Sequence, residues 1–240
     1  MTDSRVAPTG HNINIHTENY LKTIWNLSRL NSDAGSLVQN SQIADLLGVK
    51  RPTVTEMLQR LEEMGMTILV PRKGVRLSTK GERFVAGLLR RHRLIELFLQ
   101  KTLKLSSLEA HEEAEVLEHA VTPALCARIE KFLGNPEYDL HGMPIPNALT
   151  KGVKNLRQPF VKASSLKPGQ WGSVSACPDY NEKVYQRILE KGIKVGLQFK
   201  RVAETRTNSL LKFKSSKGKL YTLSAQEAEL VQVTITASRA

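Results

Sequence analysis

Two apolar-periodic stretches joined at one glycine, QNSQIADLLGV and KRPTVTEMLQRLEEMG, limit the fold of this chain more than any other feature. In residues 39–49, Ile43, Leu46 and Leu47 recur at helical spacing, and Gly48 suits the left-handed turn that ends a helix. In the second stretch Pro52 suits a first helical turn and Gly65 a C-terminal cap. Val54, Leu58 and Leu61 mark its inner face, which turns Thr53, Thr55, Glu56, Gln59, Arg60 and Glu63 outward. A short helix, a glycine turn and a second helix form a helix-turn-helix pattern. MTILVPRKGVRLS then reads as a β-hairpin with Arg72, Lys73 and Arg76 at its tip, a wing. Any helical hairpin shares the first half of this pattern; the basic wing directly after it points to DNA.

Helical periods flank that core. TENYLKTIWNLSRL, residues 17–30, places Tyr20, Ile24 and Leu27 on one face, with Thr17 as N-cap. Thr79-Lys80-Gly81-Glu82 matches a capping box and opens a long helix over about 80–104. Its apolar stripe (Phe84, Val85, Leu88, Leu89, Ile95, Phe98, Leu99) is wide enough to pack on a second copy. Ser107 opens another helix and Thr122-Pro123 a third, ending near Gly134. Residues 135–167, with many Pro, Asn, Gly, Lys and Ser, lack a clear period and read as a linker. From Pro168 the pattern is mostly β (WGSVSAC, LQFKRVAE, SLLKFKSS, KLYTLS, LVQVTITA), interrupted by a short helix at about 180–191. Short strands between turn residues predict a small barrel.

The net charge of +12 is unevenly placed. Residues 1–91 hold 13 Lys and Arg against 8 Asp and Glu, giving +5; 92–146 hold 5 against 9, giving −4; 147–240 hold 17 against 6, giving +11. Basic regions suit polyanions and an acidic, histidine-bearing region suits cations. No run of about 18 apolar residues predicts a membrane span. The polar start MTDSRVAPTGHNINIH has no secretory apolar core. Two distant cysteines, Cys126 and Cys177, form neither a disulfide framework nor a zinc ribbon. A cytoplasmic protein with no membrane partner is expected.

The acidic segment contains HEEAEVLEH, residues 111–119. On a helix His111, Glu115 and His119 share one stripe, with Glu118 at its edge. At ~1.5 Å rise per residue, however, the two histidines stand about 12 Å apart along the axis. One ion, with ligands at roughly 2–2.3 Å, cannot bind both. Glu115, Glu118 and His119 can share one ion; His111 needs partners from the preceding helix, where His92 and Glu96 form another i, i+4 pair. Glu109, Glu112 and Glu113 read as solvated surface. H-E-x-x-H, G-x-S-x-G, the P-loop and G-x-G-x-x-G are absent, so no enzyme is expected.

A winged helix-turn-helix, a His/Glu helical pair, H-x3-E-x2-E-H, PIP and a small β-domain, in that order, resemble the diphtheria-toxin-repressor family of metal-dependent transcriptional repressors. The resemblance covers nearly the whole chain from Thr17. It implies a mainly α fold: a winged helix-turn-helix domain (1–77), a helical dimerisation and metal-binding domain (78–146), a linker (147–167) and an SH3-like barrel similar to the ferrous-transport A module (168–240).

The family's ancillary metal site falls on His92, Glu96 and His111, and its primary site on Asn19, Glu115, Glu118 and His119. Iron-responsive members have cysteine at position 115 and manganese-responsive ones glutamate. Glu115 is a hard oxygen ligand, so Mn(II) is expected, with Fe(II) the alternative. Further family ligands fall near Asn181 and Val184, and its anion-anchoring pair on Asp139 and Met143. The implied function is a homodimeric repressor of metal-uptake or homeostasis genes that binds operator DNA when loaded. A metal-independent DNA-binding protein is the competing reading. The resemblance implies that metal would join the first helix, through Asn19, to the dimerisation domain and hold two recognition helices about 34 Å apart. Recognition falls to the helix opening at Pro52. Thr53, Thr55 and Glu56 are the candidate base readers. Arg51, Arg60, Arg72, Lys73 and Arg76 are the candidate phosphate contacts.

Overall fold

The computed structural model describes residues 14–30, 36–146, 160–178, 182–202 and 210–237. The chain divides into two compact units. One comprises 1–136 and 145–156; the other comprises 137–144 and 157–240.

In the first unit α1 (Ile15–Leu30) precedes the helix-turn-helix, α2 (Asn40–Leu47) and α3 (Arg51–Glu63). The cap of α1 is Asn14 rather than Thr17: its side-chain oxygen accepts from the N–H and the hydroxyl of Thr17, each at 3.0 Å. Gly48 and Gly65 adopt left-handed φ values of 65° and 68° behind α2 and α3. Ile43, Val54, Leu58 and Leu61 join Leu21, Ile24 and Trp25 in one core. Leu46 points to solvent instead; Ala44 takes the inward position. The wing is an antiparallel pair, β1 (Thr67–Val70) and β2 (Gly74–Leu77). It is tied to the helix-turn-helix through Val38, whose backbone exchanges hydrogen bonds with Val75 at 2.8 and 2.9 Å. This close approach requires Gly74: its φ is 129°, and a Cβ there would stand 2.3 Å from the Val38 carbonyl oxygen.

Helix α4 (Thr79–Phe98) is capped one residue earlier than the sequence pattern suggests, with the Ser78 hydroxyl accepting from the Gly81 N–H. It runs into a π-helical turn, Leu99–Leu103. A reciprocal capping box of Ser106 and Glu109 opens α5 (Ser107–Leu117); Thr122 caps α6 (Pro123–Phe132). The wide stripe of α4 is consumed within the protomer: Val85, Leu88, Leu89, Ile95 and Leu99 are buried against its own neighbours. Large exposed apolar side chains lie on α5 and α6 instead, among them Val116 at 68% exposure and Phe132 at 67%.

The second unit carries a six-stranded antiparallel sheet. Its strands are β3 (Val161–Lys162), β4 (Trp171–Ala176), β5 (Gln198–Arg201), β6 (Leu211–Ser215), β7 (Leu220–Leu223) and β8 (Gln232–Thr236). The order β3-β8-β4-β5-β6-β7 is that of a sheet, and no ladder joins β3 to β7 among the described residues. The expected barrel is thus present only as this sheet: among the described residues β3 is two residues long and pairs with β8. Helix α7 (Glu182–Glu190) and the short α8 (Ala225–Leu230) add Val184, Tyr185, Ile188, Ala228 and Leu230 to a core with Phe199, Phe213 and Leu223. Of the stretch read as a linker, 147–159 lies outside the described residues, while Val161–Lys162 forms β3.

Candidate metal centre and nucleic-acid interface

Helix periodicity builds the metal centre. One turn of α4 separates His92 from Glu96, and both are buried. Helix α5 packs beside α4 and presents His111 one turn ahead of Glu115, with Glu118 as its C-cap residue and His119 following. The ring centroids of His92 and His111 lie 5.1 Å apart, edge to face. Glu96 reaches both: one oxygen is 3.9 Å from His92 Nε2 and the other 3.8 Å from His111 Nδ1. Donor atoms of His92, Glu96 and His111 all lie within 4.8 Å of one another. Two imidazoles and a carboxylate, two of them buried and one partly so, suit a borderline divalent ion.

A second cluster within the same limit contains His92, Glu115 and Glu118. His92 therefore stands between the two: Nε2 faces Glu96, while Nδ1 is 2.6 Å from Glu118 Oε2 and 3.8 Å from Glu115 Oε1. The sequence had placed it in the ancillary set alone. His119 is not in either cluster. Its Nε2 is 3.6 Å from Glu118, and its Nδ1 meets Glu18 of α1. Asn19 is half-buried on α1; of the neighbouring α1 side chains, Lys22 reaches the carboxylates of Glu115 and Glu118 and Glu18 reaches His119.

Lys22 lies at the centre of this cluster. Its ammonium is 2.6 Å from Glu115 Oε1 and 3.1 and 3.2 Å from the two oxygens of Glu118. The side chain of Glu118 is 0% exposed, that of Lys22 12% and that of Glu115 39%. Burial works against the Lys22 ammonium, yet the charges of Glu118 and Glu115 outweigh it and raise its pKa above the ordinary value. Burial likewise opposes ionisation of Glu118. The His92 hydrogen bond and the Lys22 charge overcome it and hold the carboxyl below its ordinary range. The two shifts agree: both groups are charged. The ammonium marks a place where these carboxylates hold a cation, so the donor set fits a hard divalent ion as well. Spacing alone points to Glu18 and Lys22, which sit four apart on one stripe of α1, but a lysine does not read as part of a cation site.

Two family profiles match the chain. The Iron dependent repressor N-terminal DNA binding domain covers residues 14–75, and the Iron dependent repressor metal binding and dimerisation domain covers residues 78–147. Together they span more than half of the chain. A solved manganese-dependent transcriptional repressor in complex with manganese superimposes with a TM-score of 0.77 at 30% identity, covering 92% of this chain and 100% of that one.

The chain belongs to the diphtheria-toxin-repressor family.

It is a family of metal-dependent transcriptional repressors, not of enzymes. Other similar members are the manganese regulator SloR, with a TM-score of 0.77 at 26% identity over 92% of this chain and 98% of that one, and the iron-dependent repressor IdeR of Mycobacterium leprae. IdeR is 33% identical over 137 residues, which is 57% of this chain and 58% of that relative.

Within the family's DNA-binding domain, Arg51, Pro52, Thr53, Thr55, Glu56 and Arg60 on α3 and Arg72, Lys73 and Arg76 on the wing are all exposed. Arg72 takes a left-handed φ of 60° at the wing tip. The Thr55 hydroxyl is engaged locally: it donates to the Arg51 carbonyl and accepts from the Asn40 amide, both at 3.2 Å. Of the additional positions the family resemblance singled out, Asn181 lies outside the described residues, and Val184 packs in the core of the second unit. Asp139 closes its own turn, with Oδ1 accepting from the N–H groups of His141 at 2.9 Å and Met143 at 2.8 Å. No described helix is long and apolar enough to cross a membrane.

Proposed function

We propose that this protein is a manganese-responsive repressor: a cytoplasmic homodimer that binds operator DNA when loaded with Mn(II) and controls metal-uptake or homeostasis genes. One observation carries the reading. Glu115 of α5 and Glu118 at its C-cap converge on a cation supplied by α1, the helix that leads into the DNA-binding domain. Oxygen donors at position 115 favour a hard ion over the softer metals that thiolate selects.

His92, Glu96 and His111 would hold one ion. Glu115 and Glu118, completed by His119 and Asn19, would hold the other. A bound divalent ion supplies positive charge between α1, α4 and α5. Lys22 would then leave the carboxylate oxygens, and α1 would be tied to α5 by shared ligands instead of an ion pair. That tie orients α3, whose exposed Thr53 and Glu56 read base edges while Arg51, Arg60, Arg72, Lys73 and Arg76 meet phosphates. The exposed apolar side chains of α5 and α6 fit the dimer contact. The second unit is an SH3-like module.

The sequence similarity to iron-dependent IdeR favours an Fe(II)-responsive repressor as the second reading. Selection of binding sites from random duplexes by the chelated, Mn(II) and Fe(II) forms separates the two. Enrichment of one sequence family at lower Mn(II) than Fe(II) supports the first; equal enrichment by the chelated protein contradicts both. A Glu56→Ala protein with unchanged site preference removes Glu56 from the base-reading set.

A further inference from the structure

The +11 charge of residues 147–240 has no role in the reading above. Three of its lysines share one face of the C-terminal sheet. Side chains alternate along β5 and β6, so Phe199 and Phe213 enter the core while Lys200, Lys212 and Lys214 take the other face. Lys200 lies directly opposite Lys214 across the β5–β6 ladder. Lys217 stands at the exposed tip of the β6–β7 turn. Among the described residues no carboxylate pairs with any of these four lysines. Glu227 is engaged by Lys191 and Arg187, and Glu229 by Lys162.

Like charges directly opposite in an antiparallel pair destabilise it. The arrangement therefore lowers the stability of the free domain and becomes favourable only when an anion lies over the face. Along β6 two lysines on one face are about 6.7 Å apart, and the neighbouring strand is about 4.8 Å away. An array of that pitch matches a densely charged polymer, and a duplex carries one charge per ~1.7 Å of axis.

We propose that this lysine face is a second, sequence-independent contact with duplex DNA. The proposal rests on the DNA-binding reading, because a unit tethered to a bound helix-turn-helix meets DNA at an effective concentration on the order of millimolar. Other polyanions fit less well. Single strands are gripped by open aromatic platforms, but the half-buried Trp171 has the Lys200 ammonium 5.8 Å from its ring centroid. A lipid surface calls for several apolar anchors, and Leu220, opposite Lys214, is the one strongly exposed apolar side chain in these ladders.

The test uses the full-length Mn(II)-loaded protein and a duplex without selected sites. Lys200→Gln/Lys212→Gln/Lys214→Gln is compared with wild type and with Lys167→Gln/Lys183→Gln/Lys194→Gln, which loses the same charge outside the sheet. The slope of log affinity against log salt falls by about 0.9 per lost phosphate contact, so the sheet variant loses ~2–3 per engaged protomer. The control loses less, and the ratio of operator to nonspecific affinity stays the same in both. Single Lys212→Gln lowers the slope by about one such step, and the Lys→Arg triple keeps it. Equal slopes for the sheet variant and the control overturn the proposal while leaving the repressor reading intact. So does an unchanged duplex slope with lost binding to phosphatidylserine vesicles, which would make the face a membrane contact. A wild-type protein that fails to bind duplex DNA contradicts the repressor reading itself.

Discussion

Lys22→Met removes an ammonium from between two carboxylates while keeping a side chain of similar length. Its two partners contribute unequally. Glu115 is more than a third exposed, and solvent reduces such a pair to about 0–1 kcal/mol. Glu118 is fully buried, and breaking a buried pair by removing one partner costs about 3–5 kcal/mol. The low end applies because His92 Nδ1 remains 2.6 Å from Glu118. A loss of about 3 kcal/mol in the metal-free protein lowers the melting temperature by roughly 6–12 °C for a chain of this size. In the proposed metal-bound state the outcome differs, because a divalent ion would neutralise the same carboxylates and Lys22 would already have left them. The thermodynamic cycle then requires the variant to bind Mn(II) more tightly by the same 3 kcal/mol, about 100-fold. Thermal melts with and without Mn(II), together with chelator-buffered titrations, measure both halves. A variant whose metal-free stability and Mn(II) affinity both stay within twofold of wild type in equilibrium terms refutes the idea that Lys22 competes with the ion.

Gly74→Ala brings a methyl group against the Val38 carbonyl in a strained backbone, at a cost of about 1–3 kcal/mol, and should loosen the wing, read as a lower melting temperature and faster hydrogen exchange at Val75. The Glu118 pKa is depressed in the folded state, so its contribution to stability is complete above the ordinary carboxyl value of 4.5 and is lost as pH falls through the lower folded value. Lys22 is raised, so its share persists up to its ordinary value of 10.5 and fades only above it. Denaturant melts of wild type and Lys22→Met should therefore converge in acid and differ at neutral pH; a constant difference down to pH 2 contradicts the assignment. Burial pushes the Cys177 thiol up to about 12 and raises that of Cys126, so alkylation at pH 8 should be slow until denaturant is added.

The helix-turn-helix was legible because every signal in it is local. Gly48 and Gly65 end helices by backbone conformation, and Val54, Leu58 and Leu61 recur at the helical period. Caps were harder, since Ser78 and Thr79 are adjacent hydroxyls and only the fold shows which one accepts from Gly81. The wide stripe of α4 suggests a partner copy, but periodicity cannot distinguish a face covered by the helix-turn-helix core and α5 from one covered by another molecule. Helix α8 spans six residues, less than two turns, too short for a period to register. The metal cluster was read through residue types that donate to cations. On α1 the family resemblance points to Asn19, and a search by donor type passes over Lys22, because a lysine is itself a cation and its place among the carboxylates depends on how α1 packs. Sharing of His92 between two clusters is likewise a matter of which way each ring nitrogen faces.

Coupling between metal and DNA is the centre of the proposed function, and it is reciprocal. The most direct test is to measure Mn(II) affinity with and without saturating operator, and operator affinity with and without Mn(II), at one salt concentration. The account predicts that each ligand tightens the other by the same factor, about 5–150-fold. Operator affinity that is unchanged by chelation, with Mn(II) affinity indifferent to DNA, would contradict it.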